Sequence, residues 1–179
     1  MKLRQAVAYR RVKRPYTRTS RVRSKAYIKG APQIRIAQYD MGDKNIYPYE
    51  VQMLSTRPIQ IRDNAIEAAR QVIVRRMEKE AKTGWNAKVR VVPHHIIRMN
   101  PLASGAGADR FQRGMSKSFG RPEGHAAQVK KGTVLFSVHV PENLIALAKD
   151  VVGRATAKFP MHCTVRVLKK EQENTKLSL

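Results

Sequence analysis

The chain has 179 residues, with 36 Lys or Arg against 13 Asp or Glu, and its formal net charge of +23 favours a polyanionic partner, above all nucleic acid. Hydrophobic residues at 42% suffice for the core of one domain, whereas aromatic residues at only 6% predict arms outside that core. No apolar run approaches the roughly 20 residues that span a bilayer, so we expect a soluble, cytoplasmic protein without membrane contact.

The first 30 residues are predicted to be a basic arm. They hold eleven Lys or Arg residues, three tyrosines and no acidic residue. Because like charges in one block repel each other, this arm is expected to be extended or irregular and to become ordered only on binding. Tyr9, Tyr16 and Tyr27 offer faces for base stacking among the cations, which favours nucleic-acid binding over a solvated basic tail or a targeting signal.

Two extended segments are predicted next. Ile34 and Ile36 at alternating positions predict a short strand over residues 33–38 with one buried face. Residues 51–61 are also expected to be extended, but Pro58 interrupts them and limits this stretch to an edge strand or a bend.

The clearest helix is predicted to begin at Asn64. Asn64 and Glu67 have the spacing of a capping box, and Gly84 predicts the end of the helix. The apolar stripe, with three- and four-residue intervals, consists of Ala65, Ile66, Ala69, Val72, Ile73 and Met77. A strand is then expected over residues 87–99, leading into a long loop.

Residues 98–131 are predicted to be this loop, because they contain five glycines and two prolines without apolar periodicity. Phe111 and Phe119 stand among its cations, and that combination suits a phosphate-rich partner. The cations are Arg98, Arg110, Arg113, Lys117, Arg121, Lys130 and Lys131. A passive flexible loop and a catalytic loop are the alternatives.

Little in the sequence favours catalysis or metal binding. Gly105 and Gly107 lack the third glycine of a nucleotide-binding fingerprint, and His125 lacks an evident partner for nucleophilic catalysis. His94 and His95 are adjacent, so on an extended chain their side chains point to opposite faces. We therefore predict no catalytic residue, no metal site and no cofactor.

The last part of the chain predicts a strand, a helix and a strand. Apolar residues alternate over 133–140, a second amphipathic helix is expected from Pro141, and residues 163–168 predict the final strand. Cys163 is the only cysteine, which excludes an internal disulfide, and it is expected to be a passive thiol in this strand.

Together these elements predict an α+β fold. It is a two-layer sandwich in which two amphipathic helices cover one face of a mostly antiparallel sheet. We divide the chain into a basic RNA-binding arm at 1–30, a single domain at 31–170 and a polar tail at 171–179. The inserted Gly-rich basic loop spans residues 101–124.

Several motifs resemble one known family. Residues 91–100 read VVPHHIIRMN, residues 104–115 read SGAGADRFQRGM, and residues 119–124 read FGRPEG. They resemble the archaeal and eukaryotic large-subunit ribosomal protein family named L-ten-e, whose bacterial relative is L-sixteen. Shorter matches in the same order are RPY at 14–16, GAPQIRI at 30–36, AIEAAR at 65–70 and KFP at 158–160. Because the chain stops soon after the last predicted strand, we expect an archaeal member.

The resemblance implies a non-enzymatic constituent of the large ribosomal subunit that binds large-subunit rRNA among neighbouring ribosomal proteins. It implies that the loop at 101–124 reaches toward the peptidyl-transferase centre and the tRNA acceptor arms near the P site, and that the protein supports translation and subunit assembly. No homo-oligomer is expected. With the arm included, the predicted RNA-binding residues are Lys2, Arg4, Arg10, Arg11, Lys13, Arg14, Tyr16, Arg18, Arg21, Arg23, Lys25, Arg98, Arg110, Arg113, Lys117 and Arg121.

Two other functions are alternatives. An RNA-modifying or RNA-processing enzyme would need an essential acid, base or metal near the loop. An assembly factor would bind the subunit and then leave it. Turnover on naked RNA would indicate the enzyme, whereas retention in mature subunits would distinguish a resident protein from an assembly factor.

Overall fold

The computed structural model describes residues 5–100, 102, 105–110 and 114–169, and of Asp109 and Lys117 only the backbone. The helices in this part of the chain are α1 (Asp63–Glu80) and α2 (Ile145–Ala155). The strands are β1 (Asp40–Gly42), β2 (Tyr49–Ser55), β3 (Ile59–Arg62), β4 (Asn86–Val89), β5 (His95–Met99), β6 (Arg121–Val129), β7 (Val134–Val140) and β8 (Cys163–Lys169).

The strands form two antiparallel sheets. Sheet A has the order β1-β4-β7-β2-β8, and sheet B has the order β3-β6-β5. Helix α2 lies against β2, β7 and β8, whereas α1 lies against α2, β3 and β6. The predicted α+β sandwich is confirmed, but the strands are divided between two sheets where the sequence indicated one.

The apolar stripe predicted for the first helix is the buried face of α1. Ile66, Ala69, Ile73 and Met77 are at most 2% exposed. They belong to one hydrophobic core that also contains residues from both sheets and from α2. Truncating a large side chain at such a position costs about 2–5 kcal/mol, so this stripe holds the two layers together.

Helix α1 begins at Asp63, and the predicted capping box is wrong. The Asp63 carboxylate accepts the backbone N–H of Asn64 at 2.8 Å and that of Arg35 at 3.3 Å. Glu67 accepts the backbone N–H of Ala37 at 3.2 Å. Both carboxylates therefore bond the segment that precedes the helix, which is a long-range role that the local spacing did not reveal.

The strand predicted over residues 33–38 is also wrong. This segment belongs to no strand and pairs with no strand in the part of the chain that the structure describes. The reason is that the side chains of α1, and not a neighbouring strand, accept its N–H groups. Ile36 still packs in the core as expected, whereas Ile34 is exposed.

The predicted strand over 87–99 and the predicted loop over 98–131 both need correction. The strand is divided into β4 of sheet A and β5 of sheet B. Residues 121–129 form β6, so the loop ends at Gly120 and residues 121–124 are not part of it. Pro122 is one reason that the sequence predicted a loop where β6 lies. It is tolerated near the start of β6, beside an irregularity in the pairing with β5.

Candidate nucleic-acid interface

The arm lies across sheet B and is hydrogen-bonded to it. The backbone N–H of Gln60 donates to the carbonyl of Arg10 at 3.0 Å, and its side-chain amide donates to the carbonyl of Tyr9 at 2.8 Å. Gln128 donates to the carbonyl of Lys13 at 2.8 Å. Because these bonds use backbone carbonyls, the cationic side chains stay exposed. This part of the arm therefore follows a defined path along sheet B, and its ordering on binding stays a prediction.

Tyr16 is fixed to β5 by two further bonds. Its N–H donates to Nδ1 of His95 at 2.8 Å, and its carbonyl accepts the N–H of Ile96 at 2.9 Å. Nδ1 must be unprotonated to accept a hydrogen bond. Burial, and to a smaller extent the charge of Arg98, lower the pKa of His95 and so favour that form.

The guanidinium group of Arg98 contacts two aromatic rings. Its carbon is 4.3 Å from the ring centre of Tyr16 and 4.2 Å from that of Phe119. The two rings meet edge to face, with centres 5.8 Å apart. Tyr16 belongs to the arm, Arg98 to β5 and Phe119 to the end of the loop. The stack therefore joins these three parts of the chain. Each cation–π contact stabilises this arrangement by about 0.5–1 kcal/mol.

An open groove of about 480 Å³ lies beside this stack. We name it the arm groove, and the side chains that define it are Arg14, Tyr16, Arg18, Tyr27, Arg98 and Phe119. The guanidinium carbon of Arg18 is 4.6 Å from the ring centre of Tyr27. A second depression of about 340 Å³ shares Arg14, Arg98 and Phe119 with the groove and adds Arg11 and Lys13. No acidic residue lines either space in the described structure.

The positive charge of the arm groove is not balanced by carboxylates. Within residues 5–169, apart from the undescribed positions, Arg14, Arg18 and Arg98 form no ion pair with an acidic side chain. The observed pairs lie on α1, on α2 and between β1 and β4. Uncompensated guanidinium groups beside aromatic rings are suited to phosphate and to bases.

The structure brings together only some of the predicted RNA-binding residues. Those that bond sheet B through their backbone or line the two spaces are Arg10, Arg11, Lys13, Arg14, Tyr16, Arg18 and Arg98. Those exposed elsewhere are Arg21, Arg23, Lys25, Arg110 and Arg121. Lys2, Arg4, Arg113 and the side chain of Lys117 lie outside the described residues.

Sequence reasoning missed several residues of the interface. Tyr27 and Phe119 were noted as aromatic residues among cations, a signal that was sufficient to select them, but they were not assigned to the site. Gln60, Gln128 and His95 had no such signal, because their partners in the arm are distant in sequence. His95 had been considered only as a metal ligand, and no group of metal-binding side chains occurs among the described residues.

Neither helix in the described part of the chain is long and apolar enough to cross a membrane.

A family model described as Ribosomal protein L16p/L10e matches residues 12–166. Large ribosomal subunit protein uL16 of Archaeoglobus fulgidus is 42% identical over 154 residues, which are 85% of each chain. The protein of that name from Caldivirga maquilingensis is 39% identical, and the match covers 95% of this chain and 97% of the relative. The one from Methanococcus maripaludis is also 39% identical, and the match covers 94% of this chain and 96% of the relative.

Proposed function

Because the chain belongs to the ribosomal protein L16p/L10e family and is a structural constituent of the large ribosomal subunit, we propose that it binds large-subunit rRNA through its arm and sheet B. Its relatives are named as proteins of the large ribosomal subunit, which favours a structural role over an enzymatic one. The contacting residues in this proposal are the RNA-binding residues predicted from the sequence, and the other partners are neighbouring proteins of the large subunit.

The observation that carries the proposal is the exposed positive charge of the arm along sheet B. Arg10, Arg11, Lys13 and Arg14 are exposed while the backbone around them is bonded to sheet B. Contacts between such cations and phosphates supply most of the sequence-independent affinity for nucleic acid.

The loop at 101–124 is the second part of the proposal. It is directed toward the peptidyl-transferase centre and the tRNA acceptor arms. Arg110, Arg113 and Lys117 of the loop, together with Arg121 at the start of β6, neutralise phosphates of rRNA or of tRNA near the P site. The resemblance of the loop motif to the family supports this direction, and Arg110 and Arg121 are exposed and so free to contact RNA. Peptide-bond chemistry belongs to RNA in this proposal.

The test is sedimentation of the tagged protein from a lysate, at moderate and then high salt, with detection of large-subunit rRNA in the same fractions. One copy per large subunit after the high-salt wash is expected. Protein that leaves the subunit in the wash would instead indicate an assembly factor, since simple phosphate contacts weaken steeply with salt.

A matched pair of variants locates the binding surface. Lys13→Glu with Arg14→Glu reverses two charges on the arm, whereas Arg75→Glu with Lys79→Glu makes the same change on the exposed face of α1. Only the arm variant is expected to lose occupancy in large subunits. Equal losses would show that general charge, and not the arm, determines binding.

A further inference from the structure

The arm groove has features that phosphate binding alone does not require. Tyr27 and Phe119 are each 67% exposed, although large apolar rings are usually covered. Arg18 stacks on Tyr27, and Arg98 stacks on Phe119. The cations hold both rings at the groove while most of each ring surface stays open.

The size and charge of the groove select its ligand. Its volume of about 480 Å³ lies within the range of roughly 300–1,000 Å³ that is typical of small-ligand sites. Its three guanidinium groups favour an anion, and its rings favour a flat, unsaturated group. A cavity at the start of α1 differs, because it has a volume of only about 30 Å³ and because Asp63 and Glu123 balance the charges of Arg35 and Arg62 that also line it.

We propose that the arm groove holds one unstacked nucleotide of single-stranded RNA. The base lies against Tyr27 and Phe119, and its phosphate lies on Arg14 and Arg18. The proposal rests on the proposed function for the choice of RNA, and it adds a site for a single nucleotide. A paired stem does not fit, because its bases are stacked and paired inside the helix.

The depression beside the groove indicates the path that the RNA strand follows. It shares Arg14 and Arg98 with the groove and adds Arg11 and Lys13 without any acidic residue. The next phosphate of the strand lies there, so the nucleotide in the groove is continuous with a chain that follows the arm. Guanidinium groups suit this role, since their planar N–H donors bind phosphate while their faces stack on rings.

The test uses the full chain and two probes of equal length, an oligouridine RNA strand and the same strand with its bases removed. Tyr27→Leu and Phe119→Leu each remove a ring without changing the charge. Each is expected to weaken oligouridine binding about 5- to 150-fold, the range for one lost base stack. Binding of the abasic strand, and the dependence of log Kd on log salt, are expected not to change.

Two control variants complete the measurement. Tyr27→Phe keeps the ring and is expected to bind oligouridine like the unmodified chain. Ile46→Ala removes an apolar side chain that is 89% exposed outside the groove. If the leucine variants bind oligouridine as Ile46→Ala does, or weaken on both probes equally, the proposal is overturned.

A cross-linking experiment on the unmodified chain does not depend on how the variants fold. Oligouridine that contains 4-thiouridine is expected to cross-link on irradiation to peptides with Tyr27 or Phe119, and cross-links found only elsewhere overturn the proposal. Base-dependent binding by a chain that is absent from large subunits would contradict the proposed function alone. A chain resident in subunits without base-dependent binding would contradict this inference alone.

Discussion

The backbone N–H of Tyr16 donates to Nδ1 of His95 over 2.8 Å, and this bond fastens the arm to β5. A doubly protonated imidazole cannot accept it. Burial first, and the charge of Arg98 second, lower the pKa of His95 from its ordinary 6.5. The unfolded chain therefore binds the proton more readily than the folded chain. The stability that His95 contributes is complete above the unfolded pKa and is lost as the pH falls through the folded pKa.

His95→Asn is expected to remove this pH dependence, since the Asn side-chain oxygen accepts a hydrogen bond at every pH. His95→Leu is expected to loosen the arm by about 1 kcal/mol, the contribution of one hydrogen bond, at pH values where the imidazole of the unmodified chain is neutral. The measurement is the hydrogen-exchange protection factor of the Tyr16 amide between about pH 5 and pH 8. Identical pH profiles for the unmodified chain and His95→Asn would contradict the role of His95.

Gly120→Ala is expected to destabilise the chain more than Gly132→Ala. The two glycines have nearly the same φ, +78° and +80°, and alanine at such an angle costs about 1–2 kcal/mol at either site. Only at Gly120 would the new Cβ lie 3.0 Å from the carbonyl carbon of Met99 and push β5 away. The free energy of unfolding in urea measures the difference. Equal losses would mean that the neighbouring backbone yields without cost.

Glu67→Gln is expected to lower the free energy of unfolding by about 1–2 kcal/mol at neutral pH, because the Glu67 carboxylate accepts charge-assisted hydrogen bonds. The bond from Arg70 holds the pKa of Glu67 below its ordinary 4.5. Its contribution is therefore present above that value and lost as the pH falls through the folded pKa. Glu80→Gln is the control. It breaks a more exposed pair with Arg76 and is expected to cost less than about 0.5 kcal/mol. Urea unfolding that ranks the two equally would contradict this difference.

Cys163 is expected to react slowly with iodoacetamide. Burial raises the pKa of its thiol to about 11, so almost none of the reactive thiolate exists at neutral pH. All alkylation in this assay can be assigned to Cys163, because the chain has one cysteine. N-acetylcysteine and the urea-unfolded chain serve as references and are both expected to react faster. A folded chain that reacts as fast as N-acetylcysteine would disprove the assignment of a passive thiol.

Replacing residues 102–119 by a short Gly-Ser linker is expected to leave the remaining chain folded. Met99 and Arg121 are paired between β5 and β6, so the ends of the loop are already neighbours. Large subunits that contain this variant are expected to translate poorly or to assemble late. Thermal unfolding tests the first expectation and subunit profiles test the second. Loss of cooperative unfolding would show that the loop supports the fold.

The sequence predicted the elements whose signals are local. The stripe from Ile66 to Met77 identified α1, and alternating apolar residues identified β7 and β8. Other features depend on the tertiary partner. Residues 33–38 had a strand pattern, but carboxylates of α1 took the place of a neighbouring strand. Pro122 concealed β6, because its tolerance depends on where the strand meets β5.

At the interface, too, only the features with a local signal could be predicted from the sequence. The charge of the arm was visible in the composition, since no acidic residue interrupts it. Its path was not visible, because Tyr16 and His95 are 79 residues apart and Lys13 and Gln128 are 115 apart. The stacking of Arg98 likewise needs rings from two distant segments. Residue types therefore predicted the chemistry of the surface, and only the fold showed which of them meet.

Strand β2 is paired on its two sides by β7 and β8, the last two strands of the described chain. During synthesis β2 emerges long before either partner, so its edges stay unpaired until β7 and then β8 have been made. The polycationic arm emerges earlier still. Open strand edges and unshielded cations both promote unspecific association, and pairing at such sequence separation is slow. The nascent chain is therefore most vulnerable before β7 and β8 appear, and sheet A cannot be complete until they do.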